Sequence, residues 1–125
     1  MADDRPSPLS EQLRTRLRFA MKDRDQPTVS ALRGALAAID GAESAGIAAP
    51  DLSREESPIA GSRQGLGAAE APRRQLTEDD VATIVRDEIV ERETAEIAYR
   101  RAGESARADR LRAEAAALRA IVGPD

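Results

Sequence analysis

The sequence predicts an all-α protein, two helical hairpins (four main helices) joined by a long flexible linker. Three observations carry that expectation. Ala, Leu, Arg and Glu dominate the chain, and all four favour helix. Apolar residues recur at spacings of three and four towards both ends, the repeat of a helix buried on one face. Between those two regions a stretch rich in Gly and Pro breaks every period. The length, 125 residues, is that of one domain. Aromatics make up only 2% of it, Phe19 and Tyr99, so the core must be aliphatic.

Residues 1–8 read as a flexible N-terminal arm, with Pro6 and Pro8, and 9–125 as a single helical domain. Ser10 caps the first helix, or else Ser7 does with Pro8 just inside. Leu9, Leu13, Leu17 and Met21 form its apolar stripe, widened by Ala20 and at its margin by Phe19. The run Lys22-Asp23-Arg24-Asp25 ends it. Pro27 suits a first helical turn, and Asp25 is placed to cap it. Val29, Leu32, Leu36 and Ile39 mark this second helix, about four turns long. Gly34 inside it costs roughly 1 kcal/mol relative to Ala, a cost consistent with use of the missing side chain for close packing. So short a connection makes the two helices an antiparallel hairpin.

Residues 41–75 are expected to be a long loop or linker. Five Gly (41, 46, 61, 65, 67) and three Pro (50, 58, 72) fall there, with Leu52 and Ile59 as passing contacts to the body. Thr77-Glu78-Asp79-Asp80 starts the third helix: Thr77 caps, Asp80 completes a capping box, and the acids suit the positive end of the helix dipole. Val81, Ile84, Val85, Ile89 and Ile97 carry its apolar face, and Gly103 ends it. Ala108, Leu111, Ala115, Leu118, Ile121 and Val122 mark the fourth helix, stopped by Gly123-Pro124.

Several chemistries lack their residues. There is no Cys and no His, so thiolate chemistry, Ser-His-Asp or Cys-His catalysis and His-ligated zinc are out of reach. No cofactor is expected. Nor is a membrane span, for want of an apolar run of about 18 residues. Nothing at the N-terminus reads as a signal core, so the expected compartment is cytoplasmic. The net charge of −4 opposes bulk attraction to nucleic acid but permits a local basic patch.

Arg14, Arg18 and Lys22 share one stripe of the first helix, about 100° from the apolar one, and Arg33 stands in the same relation to Leu32 and Leu36. In a hairpin these four cations converge into a surface suited to a phosphate backbone or an acidic partner. The alternative is a solvated flank with local ion pairs to Glu11, Asp23 or Asp40. The third helix is acidic, with carboxylates dense enough to suggest Mg²⁺. Ion pairing is the better expectation, since Arg92 follows Glu88 and Arg100 follows Glu96 by four residues. The basic first helix and acidic third should also attract each other. Gly65-Leu66-Gly67 lacks a strand and a Lys-Ser/Thr, so it is a very weak nucleotide fingerprint. Arg73-Arg74 reads as a solvated loop end, and Tyr99 as buried at the end of the third helix rather than free to stack on a base.

Longer strings of residues resemble a known family. They are Ala20-Met21-Lys22-Asp23-Arg24-Asp25, then Ser30-Ala31-Leu32-Arg33-Gly34-Ala35-Leu36-Ala37-Ala38-Ile39 and Glu43, then Leu76-Thr77-Glu78-Asp79-Asp80-Val81, Ile84-Val85, Glu88-Ile89 and Arg92, and finally Tyr99-Arg100-Arg101-Ala102-Gly103, Leu111 and Glu114. In order and spacing, over roughly 9–122 apart from the linker, they resemble the GatB/YqeY family. The resemblance implies a YqeY-like helical domain, related to the helical and tail region of the GatB component of the glutamine-dependent amidotransferase that matures misacylated Glu-tRNA(Gln) or Asp-tRNA(Asn). It further implies a link to tRNA or to an amidotransferase-like complex, a carbon–nitrogen ligase with glutamine as amido-N-donor whose catalytic centres lie elsewhere. Here the linker is longer than the family's turn. The sequence also stops at Ile121-Val122-Gly123-Pro124-Asp125, where longer members pass into a tail domain associated with tRNA contact, so a member without that tail is expected. The functional expectation is a non-catalytic adaptor with Arg14, Arg18, Lys22 and Arg33 as its nucleic-acid or partner surface. The other reading is a protein–protein interaction module with no RNA role.

Overall fold

The computed structural model describes residues 7–45 and 75–123. Four helices account for nearly all of them: α1 (Pro8–Asp23), α2 (Gln26–Ala45), α3 (Glu78–Arg101) and α4 (Ser105–Val122). There is no strand among the described residues. Of the described residues, 7–39 and 77–123 form one compact unit, and 40–45 and 75–76 fall to a second. The second is described only at its ends, by the last residues of α2 and by 75–76. Most of the expected linker, with Leu52, Ile59, Gly65-Leu66-Gly67 and Arg73-Arg74, lies outside the described residues, as do residues 1–6 of the expected arm.

Caps and turns set several of the helix ends. Ser7, rather than Ser10, caps α1: its hydroxyl accepts from the Ser10 N–H at 2.9 Å, with Pro8 just inside. The helix therefore takes in Pro8, which belonged to the expected arm, and Ser10 is buried within it. At the other end Arg24 is left-handed, φ 58° and ψ 36°. The Arg24 N–H reaches the Met21 carbonyl and the Asp25 N–H the Ala20 carbonyl, the paired bonds of a Schellman motif. Asp25 then caps α2, accepting from the Thr28 N–H at 3.3 Å and the Thr28 hydroxyl at 2.8 Å. Helix α2 does not stop near residue 40 as expected but continues to Ala45. Gly41 weakens it, yet Ala42, Glu43, Ser44 and Ala45 all tolerate helix and the first proline comes at position 50.

The capping box of α3 is complete: the Asp80 N–H donates to the Thr77 hydroxyl and the Thr77 N–H to the Asp80 carboxylate, both at 3.0 Å. Gly103, φ 79°, closes α3 with a second Schellman pair, Gly103 N–H to Arg100 and Glu104 N–H to Tyr99. Glu78 does more than favour its own helix dipole. Its carboxylate also accepts the Leu9 N–H at 2.8 Å, so it satisfies a free donor in the first turn of α1.

Helices α3 and α4 pack along each other as a hairpin, and α1 touches both. The core is aliphatic: Leu13, Leu32, Val81, Val85 and Leu118 are fully buried, with Ala31, Ala35 and Ala108 between them. Each of the larger side chains contributes about 1.5–3 kcal/mol by leaving water. The alanines let the helices approach, and Ala31 and Ala35 were absent from the expected face of α2, where Leu36 turns out to be only half-buried.

Three apolar residues expected at the core face water. Met21 is 49% exposed, Phe19 60% and Ile97 54%. One geometric fact accounts for Met21 and Ile97. A step of four residues overshoots a helical turn by about 40°, so a stripe of period four walks around the helix. Met21 lies about 80° from Leu13, and Ile97 about 120° from Val85. Phe19 is about 120° round from Leu13 on the other side, whereas Ala20, seven residues on, returns to the buried face.

Candidate functional site

The same arithmetic puts Arg92, seven residues after Val85, in line with the buried face of α3. A guanidinium there needs partners, and it has two. Nη1 donates to Glu88 at 2.8 Å, the pairing expected at four residues, and Nε donates to Glu114 of α4 at 2.9 Å. Glu114 is itself buried and also lies 3.5 Å from Arg110. Burial alone works against the charged guanidinium. The hydrogen bonds and the charges of Glu88 and Glu114 outweigh it, and the pKa of Arg92 is raised.

Gly34 completes this cluster. A methyl group on its Cα would stand 2.7 Å from Arg92 Nη2 and 3.5 Å from Glu88 Oε1. The missing side chain leaves the space in which the guanidinium lies against α2. Sequence reasoning anticipated the close approach at Gly34 and the Glu88–Arg92 pair. It gave no role to Glu114, whose partner is 22 residues away in sequence.

Further along the hairpin, Arg100 bonds Glu96 at 2.9 Å, as expected, and Asp109 at 3.2 Å. These bonds, that to Glu96 foremost, raise its pKa. Arg119 pairs with Glu93. Tyr99 is half-buried, with the Arg107 guanidinium 5.5 Å from its ring centre. Glu88, Glu93 and Glu96 thus belong to the ion pairs of the α3–α4 hairpin, and no three acidic groups among the described residues are placed to share a metal ion. The expected attraction between α1 and α3 does not take the form of side-chain ion pairs among the described residues. Arg92, Arg100, Glu88, Glu93 and Glu96 find their partners on α4 or on α3 itself.

The cations of α1 are a different population. Arg14, Arg18 and Lys22 are exposed on α1, and Arg33 is exposed on α2. Arg18 reaches only the Thr15 hydroxyl, at 3.3 Å. Arg33 Nη2 comes to 4.0 Å from Met21 Sδ, which brings its head to the last turn of α1, beside Lys22 in sequence. None of the four forms an ion pair with Glu11, Asp23 or Asp40 among the described residues. Two more exposed cations, Arg16 on α1 and Arg24 at its C-cap, escaped the sequence reading because they fall off the stripe of period four. A shallow cleft of about 380 Å³ lies between α1 and α4, lined by Glu11, Gln12, Thr15, Arg16, Ala120 and Ile121. Among the described residues no helix is long and apolar enough to cross a membrane.

Comparison with protein families, with curated proteins and with solved structures finds nothing that matches this chain.

Proposed function

We propose that this chain is a cytoplasmic, non-catalytic helical adaptor of the GatB/YqeY type, acting with tRNA or with a glutamine-dependent, amidotransferase-like complex. The observation that carries the proposal is the cationic flank. Arg14, Arg18, Lys22 and Arg33 stand in solvent with their charges uncommitted to described carboxylates, whereas Arg92, Arg100 and Arg119 are consumed in ion pairs. Unpaired cations on a rigid helix are free to exchange counterions for phosphates. The resemblance in the strings around Arg33-Gly34 and Thr77–Arg92 supplies the kind of nucleic acid. A protein–protein module with no RNA role is the second reading, favoured by the net charge of −4.

The test is binding to total tRNA, wild type against Arg18→Glu/Arg33→Glu. If all four cations meet phosphates, affinity falls about 100-fold between 50 and 200 mM salt. The double variant removes binding without loss of helicity. If tRNA fails to bind even at the lower salt, the RNA reading is wrong. A protein partner captured after nuclease treatment, by wild type and not by the variant, then moves the same surface to the second reading.

A further inference from the structure

We propose that the outward face of α3 pairs with the same face of a second copy of this chain, antiparallel, about a two-fold axis at Thr94. The face runs through Asp87, Val90, Thr94, Ile97 and Arg101, all exposed. The outer line of a helix on a small protein is expected to be its most polar one. Here it carries Val90 and Ile97, 57% and 54% exposed, one turn to either side of Thr94. At its ends stand one acid and one base, Asp87 and Arg101, each seven residues from Thr94. Neither has an ion pair among the described residues, whereas Glu88, Arg92, Glu93, Glu96 and Arg100 on the same helix do.

That order is self-complementary. In an antiparallel pair centred on Thr94, position 94 − k of one copy stands level with 94 + k of the other. Asp87 therefore meets Arg101 of the second copy, and Arg101 meets its Asp87, giving two ion pairs from two residues. Val90 falls within about 1.5 Å, along the axis, of the level of Ile97 in the other copy. Both apolar residues lie on the same side of the line through Thr94, at about 40° and 60°. A two-fold axis keeps that side in common, so Val90 of each copy packs against Ile97 of the other, one such contact on either side of Thr94. The small Thr94 sits where the backbones cross most closely. Glu91, on the opposite margin, comes level with Ile97 of the second copy, and the two Glu91 stand about 9 Å apart along the axis. A parallel pairing lacks this match, because it sets Asp87 against Asp87 and Arg101 against Arg101.

The face is short, so the association is of the weak, concentration-dependent kind and sensitive to salt. Sedimentation velocity of the full chain across a concentration series reads it directly. Asp87→Arg and Arg101→Asp each turn two attractions into two repulsions and weaken association by about tenfold or more. The double variant Asp87→Arg/Arg101→Asp restores it, because the swapped charges face each other again. All of these positions are exposed, and unchanged far-ultraviolet dichroism checks that the variants fold. Because the chain has no cysteine, Thr94→Cys offers one thiol per copy. A short bis-maleimide joins two copies of it far faster than two copies of an Ala37→Cys control on the exposed side of α2. The proposal is overturned if the wild type sediments as a monomer up to about 1 mM, if the double swap fails to restore what each single change removed, or if Thr94→Cys cross-links no faster than the control.

Discussion

Substituting Gly34 by Ala places two local effects in opposition, and the structure says which prevails. A mid-helix Gly→Ala change ordinarily stabilises by about 0.8–1 kcal/mol, because it narrows the unfolded chain's freedom. At position 34 the new methyl group meets Arg92 Nη2 at 2.7 Å. Ordinary contact lies near 3.4 Å, so the guanidinium must recede by about 0.7 Å. It is held by bonds of 2.8 Å to Glu88 and 2.9 Å to Glu114. A retreat of that size carries them beyond the ordinary limit of about 3.2 Å. Charge-assisted bonds of this kind are worth about 1.5–3 kcal/mol each, and the flexible arginine recovers part of one by turning. Gly34→Ala is therefore expected to destabilise the protein by about 1–2 kcal/mol. In an Arg92→Ala background the obstacle is gone, and the same change should stabilise by about 1 kcal/mol. Urea unfolding of the four proteins, followed by circular dichroism, measures this cycle. If Gly34→Ala stabilises equally in both backgrounds, the packing of Arg92 on Gly34 does not govern position 34 and the reasoning is refuted.

Arg24 holds a left-handed conformation that costs a side-chain-bearing residue about 1–2 kcal/mol. Arg24→Gly relieves it and should raise stability by about 0.5–1 kcal/mol after the unfolded-state cost of glycine, read as a higher thermal midpoint. Thr77→Ala removes one half of the capping box and should cost about 1 kcal/mol, with Thr77→Ser nearly neutral. For pH, the sign follows from Arg92, a base whose folded pKa is raised. Its contribution is fully present below its unfolded value and is lost only as pH rises through the still higher folded one, far into the alkaline range. With no His or Cys in the chain, unfolding free energy should be flat between about pH 6 and pH 9. A step there in denaturant titrations would show a linked group other than these.

Local order was open to reading in the amino-acid sequence; burial was less so. Thr77 and Asp80, Gly103, Asp25 and the Glu88–Arg92 and Glu96–Arg100 pairs all act within five residues of themselves. Their chemistry therefore declares them without knowledge of the rest of the fold. The same locality made the four cations recognisable as a flank, because a helix fixes which side chains share a stripe. Which stripe is covered is a different matter. Leu9, Leu13, Leu17 and Met21 are equally apolar and regularly spaced, yet only the first two are buried. The 3.6-residue turn carries the later members off the face that α3 and α4 can cover.

Arg92 shows the converse. A charged residue at a core position looks like surface until Glu114, on another helix, arrives to hold it and Gly34, on a third, leaves it room. Sequence alone thus determined the helices, their caps and the charges each one displays. Tertiary packing decided which of those charges are neutralised and which apolar residues stay in water, because both depend on groups far apart in the chain that only folding brings within contact distance.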